Sequence, residues 1–117
     1  MVNGGPVLNR QVSEGDYARA MHRKSDGKKV TAVAERLLLT RQALGLSQLE
    51  FARSAHLAPN TYNQFETGRN RPNLESAIAL CEAYNLTLDW IYRGDASGLP
   101  YRLAEAIKSL RSAREVD

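Results

Sequence analysis

A short stretch between Pro59 and Gly68 carries uncharged polar side chains that could recognise a ligand by hydrogen bonding. These side chains belong to Asn60, Thr61, Asn63 and Gln64. A carboxamide presents a donor beside an acceptor, so it can bond adenine through two hydrogen bonds and other base edges through one. On a helix, such side chains could read nucleic-acid bases, although any solvated surface helix also carries polar residues.

The chain offers no arrangement typical of catalysis or metal binding. Cys81 is the only cysteine, and the only histidines are His22 and His56. No internal disulfide and no ligand set with zinc-site spacing can be assembled from them. No phosphate-binding glycine loop, nucleophile elbow or carboxylate pair with defined spacing occurs. We therefore expect a protein that is not an enzyme and that uses neither a cofactor nor a metal.

The length and the net charge of the chain limit the kinds of partner that it is expected to bind. The 117 residues fit one domain with at most one extra arm. The net charge is +3, and it is uneven: residues 1–30 carry +3, residues 31–71 carry +2 and residues 72–117 carry −2. A polyanion is therefore a plausible partner for the first two thirds of the chain. Without a long apolar run or a signal peptide, we expect a soluble cytoplasmic protein and no membrane partner.

Two short helices joined by about three residues are predicted around the polar stretch. Ser47 and Glu50 have the spacing of a capping box, in which each side chain bonds the other residue's backbone N–H. The first short helix is therefore predicted over about residues 47–55. Pro59 has the φ required in a first helical turn, which predicts the second short helix over about residues 59–67.

Further helices are predicted on both sides of this pair. Apolar residues at helical spacing predict one over residues 31–44, and two more are predicted after Asn73 and after Thr87. A weak cap signal at Ser13 predicts a short helix that Gly27 would end, within an N-terminal basic arm of residues 1–29. No strand pattern appears. We expect an all-α domain over residues 30–94, then a hinge and an amphipathic helix over residues 95–117.

The apolar residues of these helices predict the core. Tyr62 and Phe65 lie three apart on the inner side of their helix, and Trp90 is expected to face inward. The helix after Asn73 carries a predicted buried stripe of Leu74, Ala77, Ile78, Cys81 and Tyr84. The last helix carries a stripe of Leu99, Leu103, Ala106, Ile107, Leu110 and Ala113.

Several motifs resemble those of one family. Leu46-Ser47-Gln48, Phe51-Ala52, Gln64-Phe65-Glu66, Gly68 and Arg71-Pro72 stand at the spacings of the lambda-repressor-like, or XRE, helix-turn-helix regulators. The resemblance covers roughly residues 33–94. It implies a compact five-helix domain that binds duplex DNA and lays the helix of residues 59–67 in the major groove.

The resemblance also implies roles for individual residues. The base-reading set would be Pro59, Asn60, Thr61, Asn63 and Gln64, and the DNA-backbone set would be Ser47, Gln48, Arg69, Asn70 and Arg71. Gln48 would bridge to Gln64 or Asn60, and an ion pair of Arg41 with Glu66 would lock the reading helix to the scaffold.

Two positions depart from the family pattern. His56 stands where the family has a glycine in the tight turn, and histidine adopts positive φ less freely than glycine. Ala58 stands where the family has a serine or threonine cap, and alanine has no side-chain acceptor for the exposed N–H groups of the next helix.

The expected assembly is a homodimer on an inverted repeat, because one such module buries only about 600–1,000 Å² on DNA. The candidate dimer contacts are Trp90, Tyr92, Leu103, Ile107 and Leu110, although the last-helix stripe could equally pack on its own core. The N-terminal arm could lie along the groove or be a disordered tail. The most favoured function is a transcriptional repressor. The alternatives are an antitoxin with a toxin partner, a protein-interaction adaptor that has lost base reading, and a binder of single-stranded nucleic acid.

Overall fold

A computed structural model describes the backbone of residues 24–116 and the side-chain environment of residues 31–114. Within this part the chain forms six α-helices and no strand, which confirms the all-α prediction. In chain order they are α1 Lys24–Leu44, α2 Gln48–Ser54, α3 Pro59–Glu66, α4 Leu74–Tyr84, α5 Leu88–Arg93 and α6 Tyr101–Val116.

The first helix begins earlier than the sequence predicts. α1 starts at Lys24 and continues through Gly27, so the prediction that Gly27 ends a helix is wrong. One glycine costs a helix interior only about 1 kcal/mol, which a long helix around it can offset. The predicted boundary between residues 29 and 30 therefore falls inside α1. The remainder of the predicted arm, with its proposed cap at Ser13, lies outside the described residues.

The entry of α2 and the exit from it follow the local chemistry of the sequence. Ser47 Oγ accepts a hydrogen bond from the Glu50 backbone N–H at 3.1 Å, and Glu50 Oε1 accepts one from the Ser47 N–H at 2.9 Å, which completes the capping box. At the exit, His56 adopts a φ of 60°. The N–H groups of His56 and Leu57 bond the carbonyls of Arg53 and Ala52 at 2.9 Å each. This is the Schellman pattern that usually calls for glycine, and it turns the chain sharply into α3.

The core lies where α1 packs against α3, α5 and α6. Tyr62, Phe65 and Trp90 are all buried, which confirms their interpretation as core residues. The Trp90 indole N–H donates to Thr40 Oγ1 at 2.9 Å, and the Thr40 hydroxyl donates to the Arg36 carbonyl at 2.7 Å. Every polar group of this internal contact is therefore paired, as burial requires.

Two expectations about apolar residues need correction. Trp90, Leu103 and Ile107 are less than a tenth exposed because α5 and α6 fold onto α1, so these three residues belong to the core and are not available as dimer contacts. Conversely, Leu74 and Ile78 of α4 are 58% and 39% exposed and do not belong to a buried stripe. Only one side of α4 faces the core, and Ala77 and Leu80 occupy it.

Candidate nucleic-acid interface

α3 presents a polar side to solvent and an aromatic side to the core. Pro59, Asn60 and Thr61 at its start are exposed, and Asn63 and Gln64 are partly exposed. Tyr62 and Phe65 are 0% and 4% exposed. The alternation follows from helical geometry, because residues three or four apart share a side. The carboxamides at positions 60 and 64 therefore remain on the outer surface of the molecule.

The carboxylate of Glu66, at the end of α3, joins three helices. Arg41 of α1 bonds it through two nitrogens, Nε to Oε2 at 2.8 Å and Nη2 to Oε1 at 2.9 Å. The Tyr62 hydroxyl donates to Oε2 at 2.5 Å, and Gln48 Nε2 of α2 donates to Oε1 at 2.8 Å. Arg41 Nη1 also donates to the Leu46 carbonyl at 2.9 Å. The structure thus brings the predicted ion-pair partners together and fixes α3 against α1 and α2.

The partners of Gln48 differ from those expected. Its Oε1 accepts from Asn63 Nδ2 at 3.1 Å and its Nε2 donates to Glu66. The prediction that Gln48 bridges to Gln64 or Asn60 is therefore wrong. The physical reason is rotation along the helix: Asn63 and Glu66 are one turn apart on the side of α3 that faces α2. Asn63 is therefore part of the contact between α2 and α3.

The hydroxyl of Tyr62 is a member of this network that the sequence analysis missed. Tyr62 was interpreted only as a core aromatic, and its ring is indeed buried. Its spacing of four residues from Glu66 was the available signal, since side chains at that spacing meet on one helix face.

The loop after α3 is exposed and carries positive charge. Arg69, Asn70 and Arg71 are all exposed, and neither arginine forms an ion pair with any residue in the described part of the chain. Asn70 Nδ2 donates to Gln64 Oε1, which ties the loop to α3. The Tyr92 hydroxyl donates to the Pro72 carbonyl at 2.7 Å, which anchors the end of the loop to α5.

Comparison with known proteins assigns the family. A family model described as helix-turn-helix matches residues 37–91, the segment that contains the α2–α3 pair and its supports. This segment, just under half of the chain, is a helix-turn-helix domain of the lambda-repressor-like type. The comparisons with curated proteins and with solved structures returned no match.

The domain at residues 37–91 supports a DNA-binding regulator, because its family is one of DNA-binding regulatory domains and not of enzymes. α2 and α3 are the two helices of the helix-turn-helix motif, and the Schellman turn at His56 joins them. Within the described residues, no cluster of three or more potential metal ligands occurs. No helix in that same part is long and apolar enough to cross a membrane.

The ionisation of Glu66 follows from its surroundings in the helix-turn-helix unit. Burial on its own would raise the pKa of the Glu66 carboxyl, but the hydrogen bonds from Arg41, Tyr62 and Gln48 outweigh it and leave the pKa below its ordinary value. The hydrogen bond to Glu66 raises the pKa of Arg41. Burial and the neighbouring carboxylate raise the pKa of the Tyr62 hydroxyl, so it remains a donor. The network is therefore charged at Arg41 and Glu66 at neutral pH.

Proposed function

We propose that the protein is a sequence-specific transcriptional repressor that binds duplex DNA as a homodimer and reads the major groove with α3. The observation that carries the proposal is the outward polar side of α3, held by buried contacts of the same helix. Occupation of an operator can exclude polymerase without any further partner, so repression is the regulatory mode we propose.

The base-reading residues of this proposal are Pro59, Asn60, Thr61 and Gln64. Asn60 and Thr61 are exposed in the first turn of α3, where a helix entering the major groove meets base edges. Their side chains have no hydrogen-bond partner among the residues described, so they are available to a ligand. Pro59 can offer only apolar contact, for example to a thymine methyl group.

Asn63 and Gln64 have intramolecular partners, and this changes their proposed roles. Gln64 Oε1 accepts from Asn70 of an exposed loop, so we propose that its amide group turns towards a base when the loop meets the DNA strand. Asn63 Nδ2 bonds Gln48 within the partly buried α2–α3 contact, so we propose that Asn63 mainly orients α3. It was expected to read a base directly.

The DNA-backbone contacts of the proposal flank α3 on both sides. Arg69, Asn70 and Arg71 would bind the sugar-phosphate strand and set the position of α3 without specifying sequence. At the other side, Ser47 and Gln48 lie at the N-terminal end of α2, where unpaired backbone N–H groups favour a phosphate oxygen. Both functional groups of Gln48 are bonded to α3, so it would contact phosphate through its backbone N–H.

The second copy would bind through α4 and α5. Leu74, Ile78 and Leu88 are 58%, 39% and 37% exposed on these two neighbouring helices. The partly exposed Tyr92 anchors the phosphate-binding loop to α5, so this surface is continuous with the proposed DNA face. The two helices and the loop before α4 also carry exposed charges of both signs: Glu75, Glu82, Asp89, Arg71 and Arg93. In a two-fold dimer, residues away from the axis meet different residues of the second copy, so charges of both signs can be self-complementary.

The decisive experiment selects bound fragments from genomic DNA and then tests variants on the recovered site. We expect a short duplex site with two-fold symmetry. Asn60→Ala and Gln64→Ala should each weaken binding by about 1–3 kcal/mol and relax the preference at one base pair. Asn85→Gly is the matched control. It removes an exposed carboxamide at the end of α4, where φ is 57° and glycine is tolerated, and should leave binding unchanged.

The same binding assay separates base reading from the adaptor and single-strand alternatives. Arg69→Gln and Arg71→Gln should each lower the slope of log affinity against log salt by about one while leaving the preferred sequence unchanged. Arg102→Gln on α6 is the charge-matched control. Binding that is insensitive to Asn60→Ala and Gln64→Ala would contradict base reading and favour an adaptor, and tighter binding to unpaired probes would favour a single-strand binder.

A further inference from the structure

A cleft beside α6 takes no part in the proposed DNA interface. It has a volume of about 400 Å³ and lies between α6 and the chain segment around Ala96 and Ser97. Its apolar lining consists of Trp90, Ala96, Ala104 and Ile107. No lining residue belongs to α2, α3 or the loop of residues 69–71. Its size is in the range of roughly 300–1,000 Å³ that proteins use for small ligands.

The floor of the cleft is rigid because a hydrogen bond on the core side fixes the ring of Trp90. Trp90 is 1% exposed, and its indole nitrogen is bonded to Thr40 of α1 on the core side. Ile107 is 3% exposed and packs in the same core. The partly exposed apolar lining, Ala96 and Ala104, lies over this fixed core. An apolar ligand group would therefore not have to order the surface that it meets, which reduces the entropic cost of binding.

The rim of the cleft carries positive charge with little compensation. Lys108 and Arg111 line it, and the Arg111 guanidinium carbon lies 5.8 Å from the centroid of the Trp90 ring. Neither side chain forms an ion pair among residues 31–114, and Glu105 is the only acidic residue of the lining. The nearby carboxylate of Glu35 is engaged by Arg114, 3.3 Å away.

A second guanidinium lies near the first. Arg36 of α1 is partly buried and donates to the Ile91 carbonyl at 2.9 Å. Burial lowers the pKa of Arg36 and the positive charge of Arg111 lowers it further, whereas the carboxylate of Glu35 offsets part of this shift. An anion that binds at the cleft would reduce the repulsion between the Arg36 and Arg111 charges.

We propose that this cleft is a binding site for a small organic carboxylate, whose apolar body lies against Ala96 and Ala104, above the buried Trp90, and whose carboxylate bonds Arg111 and Lys108. Arg111 can offer two parallel N–H donors to a carboxylate, and the Ser112 hydroxyl in the lining can add a further hydrogen bond. The cleft shares no residue with the proposed DNA interface, so a test that contradicts one proposal leaves the other unaffected.

The chain carries its own reporter for this site. Trp90 is the only tryptophan, so emission excited at the red edge of the absorption band comes from the floor of the cleft. Titration with phenylacetate should change this emission in a saturable way. Phenylacetamide, the neutral isostere, and inorganic phosphate at equal ionic strength should each bind at least about tenfold more weakly, because each lacks one of the two recognised features.

Variants of Arg111 and Lys108 test whether these two side chains bind the carboxylate. Arg111→Gln should weaken phenylacetate binding about tenfold or more, whereas Arg102→Gln, on α6 but outside the cleft, should leave it unchanged. Since Arg111 also contacts the Trp90 ring, Lys108→Gln supplies a second variant that keeps this contact and should still bind several-fold more weakly. The proposal is overturned if phenylacetate gives no saturable change, if either control ligand binds as tightly, or if Arg111→Gln binds like the unaltered protein.

Discussion

At the scale of single residues, the Glu66 carboxylate determines how α3 is held. It accepts hydrogen bonds from a residue of α1, a residue of α2 and a residue of its own helix. The side chains of Arg41 and Glu66 are only 16% and 5% exposed, so solvent screens the pair weakly. A buried charge left without its partner costs far more than the pair contributes when intact.

Removal of the arginine should therefore destabilise the domain strongly. We expect Arg41→Met, which keeps an apolar stem, to lower the free energy of unfolding by about 3–5 kcal/mol, measured by urea denaturation at neutral pH. Arg93→Met is the control, because its ion pair with Asp89 is 3.6 Å long and well exposed and should contribute under about 1 kcal/mol. Equal losses in the two variants would contradict the importance assigned to Glu66.

The depressed pKa of Glu66 also gives stability a pH dependence. A carboxyl whose pKa is lower in the folded state contributes stability above its unfolded pKa, near 4.3, and loses it as the pH falls through the folded value. We expect the stability difference between the unaltered protein and Glu66→Gln to be largest near neutral pH and to shrink below about pH 4.3. Urea denaturation of both proteins across this range tests it. A difference that is constant with pH would show that Glu66 is not charged in the folded domain.

At the scale of elements, α3 begins without a side-chain cap. Ala58 occupies the N-cap position with an extended backbone and makes no capping hydrogen bond, and Pro59 follows at the first helical position. We expect Ala58→Ser to raise the free energy of unfolding by about 0.5–2 kcal/mol, because its hydroxyl can accept a backbone N–H of the first turn. Ala83→Ser, at an exposed position within α4, is the control and should be neutral or slightly destabilising. A cap that adds no stability would mean that water already satisfies these N–H groups.

The sequence predicts elements whose boundaries depend on local chemistry. The capping box at Ser47, the proline start of α3 and the cap at Asn73 are all present in the structure, because each involves residues within one turn of each other. The start of α1 was predicted wrongly, since one glycine is a weak signal against the neighbouring helical turns.

Contacts between elements were harder to predict than the elements themselves. The partners of Gln48 depend on the rotation of α3 relative to α2, and the burial of Leu103 and Ile107 depends on where α6 packs. Periodicity identifies an apolar side of a helix but not the surface that covers it. For this reason the last-helix stripe could be read equally as core or as dimer contact, and the exposure of Leu74 was not anticipated.

At the scale of the whole molecule, the proposed homodimer depends on exposed apolar residues of α4 and α5. We expect Ile78→Glu to shift the monomer–dimer equilibrium towards monomer by tenfold or more, because it places a charge at a contact that becomes desolvated, measured by sedimentation as a function of concentration. Tyr101→Glu is the control, since Tyr101 is 77% exposed at the start of α6, away from that surface.

Dimerisation can also be followed through the thiol of Cys81, the only cysteine of the chain, which is partly buried on α4. Its rate of modification should fall as the protein concentration rises, and Ile78→Glu should abolish this dependence. A dimer that persists in Ile78→Glu would place the contact elsewhere.

The division of α3 into anchored and free positions has a consequence for specificity change. Tyr62, Asn63, Phe65 and Glu66 attach the helix to the scaffold, whereas Asn60 and Thr61 take part in none of those attachments. Replacement of positions 60 and 61 alone should redirect the protein to new operators at little cost in folding, so natural relatives and engineered libraries can vary there independently. Position 63 lacks that freedom, because any new side chain there must also satisfy Gln48.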